Sequence, residues 1–583
     1  MSNFRFLSFA LALVVMQAAV PAASLPAAPA GDAALTALAK DYYRAEWLFS
    51  PTGATGTGVH DYDDRLDPVT PVAIKAEIAH LHATLNALAA IDAATLSFDG
   101  QVDQKSLDAS IRGNLYQLEE RATWQSDPGY YTGIGAGGVY AIISRAFAPA
   151  SKRLTLAIDR EAQLPGLLQQ AEKNIVPTLV PAIVAKVAEL DAQGSVDFFS
   201  TDVPRAFVGV GDAASQARFK AVNAAVMAAF KSYASFIHTR VAPKAHAPYA
   251  IGAATYRRLE QLQNIEDIPL DKLLAIGEAR LARDKADFIA TAKRIDPKKT
   301  PGQVLADIQK NHPTNAQLLS VAQAQLAQLV SFIKAKHIID LPDAPIAKVI
   351  KTPQFAAQTT FASMNSPGPL ETVATEAYYN VTLADPKWPA DKAEQHLRFY
   401  TPYWLLIVSA HEAYPGHYVN YLFNKEHDLS LIRKIEWNPA FGEGWAHYDE
   451  QMMVDEGLGG GDPRYRLAQL SGALWRDCRY VVGIKEHTQG MTVEQATKFF
   501  MDNSYQPQEP AFREAVRGTM DPLYGYYTLG KLMLLKLRDD YKTKLGADYS
   551  LAKFHDELLS HGDPPIYFMR KYLLGQDDKG SLL

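Results

Sequence analysis

The sequence predicts a mainly α protein with a small β-sheet. Amphipathic, heptad-like patterning runs from Asp32 to about Ile339, a short segment rich in β-branched and aromatic residues interrupts it, and helical patterning resumes from Asp391 onward. The 583 residues are 48% apolar and 21% charged, the composition of a folded globular chain able to bury a large core.

At the N-terminus, Arg5 is followed by an apolar run, Phe6 to Met16, and by the small residues Ala18 to Ala23. This is the layout of a secretory signal peptide over residues 1–23, followed by a flexible Ala/Pro-rich tail over 24–31. The expectation is an exported, periplasmic or secreted protein. A lipid anchor is not expected, because no cysteine follows the apolar run, and no later run reaches about 18 uninterrupted apolar residues, so no membrane span is expected after cleavage. Cys478 is the only cysteine, which excludes an intramolecular disulfide and a cysteine-rich metal site, and its helical setting reads as a buried small residue.

Residues 32–345 read as an N-terminal helical region and 346–583 as a catalytic region, the two forming one continuous body. Helical patterns cover Val72 to Ile91, Arg153 to Ile175, Ala213 to Val241, Asp271 to Ile295 and Asn315 to Ile338. In the fourth, Asp271 is the expected N-cap, and Leu274, Leu281 and Phe288 share a face. Two stretches break the pattern. One is Gly129 to Gly138, with five glycines; the other is Phe361 to Leu383, where Thr375 to Leu383 reads as a strand just ahead of the catalytic helices.

The net charge of −6 and pI near 6.2, without a basic stripe, argue against a nucleic-acid partner. Lys298 with Lys299, and Lys531 with Lys536, read as solvated helix faces.

The chemistry concentrates late in the chain. His411-Glu412-Ala413-Tyr414-Pro415-Gly416-His417 follows an apolar run, Tyr403 to Val408. Two histidines four apart on a helix can share a metal while a neighbouring glutamate activates water. Here the second histidine comes six residues on, a turn of roughly 240° that a regular helix would leave facing away. Pro415 and Gly416 supply the remedy, because proline removes a helix hydrogen bond and glycine admits unusual dihedrals, so the helix is expected to bulge or break there and bring His417 back. The second element, Phe441 to Glu450, places Glu443, His447 and Glu450 along one helix face, from which any could reach the same site. Two histidines and a glutamate with an open fourth position are the ligand set of hydrolytic zinc centres.

These motifs resemble those of the bacterial domain-of-unknown-function family 885, placed among gluzincin-like metallopeptidases. The resemblance rests on His411-Glu412-x-x-Pro415-Gly416-His417, on Glu443-Gly444-Trp445-Ala446 with Tyr448 and Glu450, and on Tyr527-x-x-Gly530 with Leu537-Arg538. It continues through Phe554-His555-Asp556, Leu558-Leu559 and Gly562, and more faintly into the N-terminal helices. The family's usual arginine-tyrosine pair reads Arg517-Gly518 here. The resemblance implies a large helical body around a deep cleft, one zinc ion held by His411, His417 and Glu443, Glu412 as general base on the metal-bound water, Glu450 orienting a ligand histidine, and short peptides as substrate.

A tetrahedral oxyanion needs a further donor; Tyr527 is the first choice and His487 the second. Tyr524 and Tyr526 read as core aromatics. Arg517 offers a fork for a substrate carboxylate, or pairs with Glu514 one turn away. The rival readings are a zinc hydrolase of esters or non-peptide amides and a metal- or peptide-binding protein without turnover. Glu412 weighs against the latter, since a binding site has no use for a base. Composition and motifs leave the oligomeric state open.

Overall fold

The computed structural model describes residues 30–353 and 360–583, and the signal-peptide reading of 1–23 lies outside them. The protein is mainly α, with one three-stranded sheet. The five helical patterns become helices Pro71–Ala89, Ala150–Asn174, Ala213–Phe236, Leu270–Ile295 and Leu318–Lys336. In the fourth, the N-cap is Pro269 and Asp271 sits in the first turn, so the carboxylate meets the helix dipole instead of capping it. Its buried face carries Leu273, Gly277, Leu281 and Phe288, with Leu274 half-buried beside them.

The glycine-rich stretch is helical, contrary to the reading of a break. Gly129–Thr132, one wide turn over Gly133–Gly137, and Gly138–Ser144 follow without interruption. Packing overrides propensity here: a Cβ on Gly135 would come within 2.9 Å of Leu164 and 3.2 Å of Phe230. The surrounding core of Leu164, Phe198, Phe199, Val226 and Phe230 is dense and apolar.

Between the two helical regions lie β1 (Lys348–Lys351), β2 (Ala362–Asn365) and β3 (Tyr378–Val381), in the order β1-β3-β2. The expected strand is β3, at the centre, parallel to β1 and antiparallel to β2. Strand β2 is therefore an edge. Tyr379 and Val381 of β3 join the core that also holds Leu405, Leu406, Phe441, Trp445, Leu529 and Leu534. Helix Leu318–Lys336 has the length and hydropathy of a membrane span, but Leu318, Ala322, Leu326, Leu329 and Ile333 are buried in this same core.

Cys478 is buried, as is Tyr524. Lys531 is buried too, not solvated: its ammonium sits in the core near Asp284 and Asp477, and burial pulls its pKa down to about 8.

Candidate metal centre

The first histidine is carried by helix Pro402–Glu412, which opens with the Thr401 hydroxyl accepting from Trp404 N–H and a proline in the first turn. The helix ends at Glu412, and a second one, His417–Glu426, begins at the other histidine. Across the break, Gly416 N–H donates to Ala410 O at 2.9 Å, and the Trp445 indole donates to Pro415 O at 3.1 Å. Gly416 has no room for a side chain, since a Cβ would lie 1.8 Å from His411 O. The break thus folds His417 back until the two imidazole rings are 5.0 Å apart and perpendicular.

Glutamates come from helix Pro439–Asp455, opened by the Asn438 side chain and Pro439. It crosses helix Tyr526–Leu545 at Gly444 and Gly530: a Cβ on Gly530 would meet Ala440 O at 1.8 Å, and one on Gly444 would meet the Gly530 backbone at 2.7 Å. Only two glycines let the backbones approach so closely. This crossing brings Tyr527 beside Glu443.

Glu443 Oε2 lies 3.3 Å from His411 Nε2 and 3.4 Å from His417 Nε2. Among the described residues, His411, His417 and Glu443 form the one group of three potential ligands, their donor atoms all within 4.8 Å of one another. Ligand bonds of about 2.0–2.1 Å arranged tetrahedrally give edges of about 3.3–3.4 Å, so both measured edges suit an ion. Glu443 Oε2 is buried and, with only the two imidazoles near it, makes no well-aligned hydrogen bond, an arrangement a cation would relieve. The donor set and its spacing fit zinc.

Without an ion the three groups hold one another. Burial opposes charge on His411, but Glu443 and Glu450 on either side outweigh it and raise its pKa to about 9. Burial likewise pushes the Glu443 carboxyl up, and the two histidines more than reverse this, holding it well below the usual range.

Glu450 occupies the other side of His411, with Oε1 2.8 Å from Nδ1 and 3.0 Å from Arg476 Nη2. This is the outer position from which a carboxylate orients a ligand histidine. His447 does not converge with Glu443; it is fully buried, 3.2 Å from Glu450 Oε2. Glu412 accepts a hydrogen bond from the Met364 amide of β2 at 2.8 Å, so the sheet edge fixes the carboxylate beside His411.

All of these groups except Glu450 and His447 line a cavity of about 1200 Å³. Its walls include Ile183, Lys186 and Val187 of helix Ala182–Ala206, residues Ala362 to Met364 of β2, and Trp404, Trp437 and Trp475. Tyr527 lines it as well. Its ring stacks 6.3 Å from the His411 ring, and its hydroxyl oxygen accepts from Arg517 Nη2 at 3.3 Å. His487 is elsewhere: its Nε2 lies 2.7 Å from Gly518 O in the interior, off the cavity wall, so it offers no hydrogen to a substrate. Arg517 lines the cavity but pairs with Asp521 at 3.3 Å, while Glu514 is taken by Arg479 through a two-point contact of 2.5 and 3.0 Å. Position 518 faces inward; a Cβ there would strike Glu486 and Tyr524.

Sequence reasoning missed Arg476, Arg479 and the Met364 amide. The arginines had a signal, two cations three residues apart within the largely apolar run Leu467 to Ile484. The amide had none, because a backbone donor leaves no mark on composition.

A helical protein with two histidines and a glutamate converging on a cavity wall is the class that the fold and site define. The chain belongs to the family described as bacterial protein of unknown function, DUF885, whose model matches residues 51–573. It is similar in structure to a candidate lipoprotein of unknown function from Shewanella oneidensis, at 26% identity and a TM-score of 0.76, over 93% of this chain and 99% of that one. A candidate lipoprotein from Colwellia psychrerythraea shares the fold at 18% identity and a TM-score of 0.80, over 94% of this chain and 99% of that one. No curated protein matches the chain.

Proposed function

We propose that this protein is an exported zinc metallopeptidase that hydrolyses short peptides. The observation that carries this reading is the convergence of His411, His417 and Glu443 on the cavity wall with Glu412 held beside them. A zinc ion bound by those three residues would polarise a carbonyl and make water a better nucleophile near neutral pH. Glu412 takes the proton of the attacking water and passes it to the leaving amine. One Glu412 oxygen is occupied by the Met364 amide, which keeps the carboxylate turned toward the site.

Tyr527 stabilises the oxyanion. Its oxygen already accepts from Arg517, so its own proton remains free to donate, and burial raises its pKa, which keeps that proton in place. Glu450 fixes the His411 ring through Nδ1 and leaves Nε2 for the metal.

A peptide suits the cavity. About 1200 Å³ exceeds the roughly 300–1,000 Å³ of ordinary small-molecule pockets, room enough for an extended chain. Export is supported by the signal-like N-terminus and by the structural relatives described as lipoproteins.

Metal analysis of the purified protein, followed by digestion of a mixed peptide library, tests the reading. Close to one zinc per chain, peptide cleavage, and loss of both metal and cleavage in His417→Ala are expected. A protein that takes up no divalent metal, or a His417→Ala variant with full zinc occupancy, overturns it.

A further inference from the structure

We propose that Arg517 receives the free C-terminal carboxylate of the substrate, so that the enzyme trims one or two residues from the C-terminus of short peptides. This rests on the peptidase reading and adds the substrate class. Three guanidinium groups pack around the Tyr527 ring, those of Arg476, Arg479 and Arg517, at 5.5, 5.1 and 5.8 Å from its centre. Two are committed. Arg479 forks onto Glu514, and Arg476 is held by the buried Glu450.

Arg517 differs. Its hydrogen bonds, to Asp521 at 3.3 Å, Tyr526 at 3.4 Å and Tyr527 at 3.3 Å, all leave from the single nitrogen Nη2. No described residue accepts from Nη1 or Nε, although a guanidinium carries five N–H donors in a planar fork. Its carboxylate partner is a single-point contact with both side chains about a third exposed, at 37% and 33%. Such a pair contributes little and yields to a better-matched anion.

The position suits a chain terminus. Tyr527 spans from the His411 ring to Arg517, so the cation stands about one side chain away from the proposed metal. An extended peptide advances about 3.3 Å per residue, which places the terminal carboxylate one or two residues beyond the scissile carbonyl. Asp521 and Tyr526, which hold the guanidinium through Nη2, do not line the cavity, whereas Arg517 does. Water adds to the scissile carbonyl, the C–N bond breaks, one fragment leaves with a new carboxylate, and the released amine takes the proton.

Peptides identical except for a C-terminal acid or carboxamide provide the test. Wild type should favour the acid by about 10²-fold in kcat/KM, the effect of one charge-assisted pair, and the ratio should fall toward unity in Arg517→Gln with bound zinc unchanged and recover in part in Arg517→Lys. Equal cleavage of acid and amide by wild type overturns the inference, as does a preference that follows a free N-terminus or an internal aspartate. Calorimetric titration of both peptides into Glu412→Gln separates the two readings. There the acid should bind about 10²-fold tighter; equal binding, or none, removes the carboxylate site, whereas turnover failing in wild type while that difference persists removes only the peptidase reading.

Discussion

Two histidines in this protein sit between two carboxylates, and their surroundings differ. His60 places Nδ1 2.9 Å from Asp63 and Nε2 2.9 Å from Glu371; His411 places Nδ1 2.8 Å from Glu450 and Nε2 3.3 Å from Glu443. Around His60 every carboxylate oxygen has another task or a close partner. Thr55 donates to Asp63 at 2.5 Å, the amides of Val373 and Ala374 donate to Glu371, and the imidazole stacks on Phe147 at 4.0 Å. At His411, Glu443 is shared with a second histidine, its Oε2 makes no well-aligned hydrogen bond, and the group opens into a cavity. The pairing of histidine with acids is therefore not what marks a metal centre. Convergence of a third donor on a cavity wall is what sets the candidate metal centre apart.

The largest effect that sharpens this contrast is expected at Glu412, which has no counterpart beside His60. Glu412→Gln keeps size and can still meet the Met364 amide, but it cannot accept a proton. Peptide hydrolysis should fall by roughly 10²-fold to 10⁴-fold with zinc retained. Steady-state rates normalised to bound metal check this, and an unaltered rate with metal present would falsify the role of Glu412.

Tyr527→Phe comes next. Removing the hydroxyl should lower kcat by about 10²-fold and leave metal content and the fold intact, since the ring's packing against the three arginines is preserved. An unchanged kcat would return Tyr527 to a packing role and leave the oxyanion without its donor.

Much of this centre was legible in the sequence because its parts lie within short motifs. The His411–His417 spacing conflicts with a regular helix, and Pro415-Gly416 announces the break that resolves the conflict. Glu443 and Glu450 share a helix face yet reach opposite sides of His411, a difference set by how that helix crosses its neighbours and invisible to helical periodicity. His487 reads as a candidate from its residue type alone, but its ring contacts the Gly518 carbonyl in the interior. The same limit applies to Lys531, whose exposure depends on which helix covers it. His60 and Glu371 lie far apart in the chain, so only the fold could pair them.

The smallest effect is expected at His60. His60→Gln should leave zinc content and peptide cleavage unchanged, because neither His60, Asp63 nor Glu371 lines the cavity. Its consequence is in stability and depends on pH. Burial lowers the His60 pKa, but Asp63 and Glu371 outweigh it, so the folded value stands above the ordinary 6.5. The folded state then binds the proton more tightly than the unfolded chain, so this contribution is complete below about pH 6.5 and is lost as pH rises through the folded pKa. With a partly exposed ring, the loss in His60→Gln should be about 1–2 kcal/mol near pH 6 and smaller near pH 9. Denaturant midpoints of both proteins at the two pH values measure it. A variant that loses zinc would show that the two histidine sites are coupled, and a loss that grows with pH would show that His60 is neutral in the folded protein.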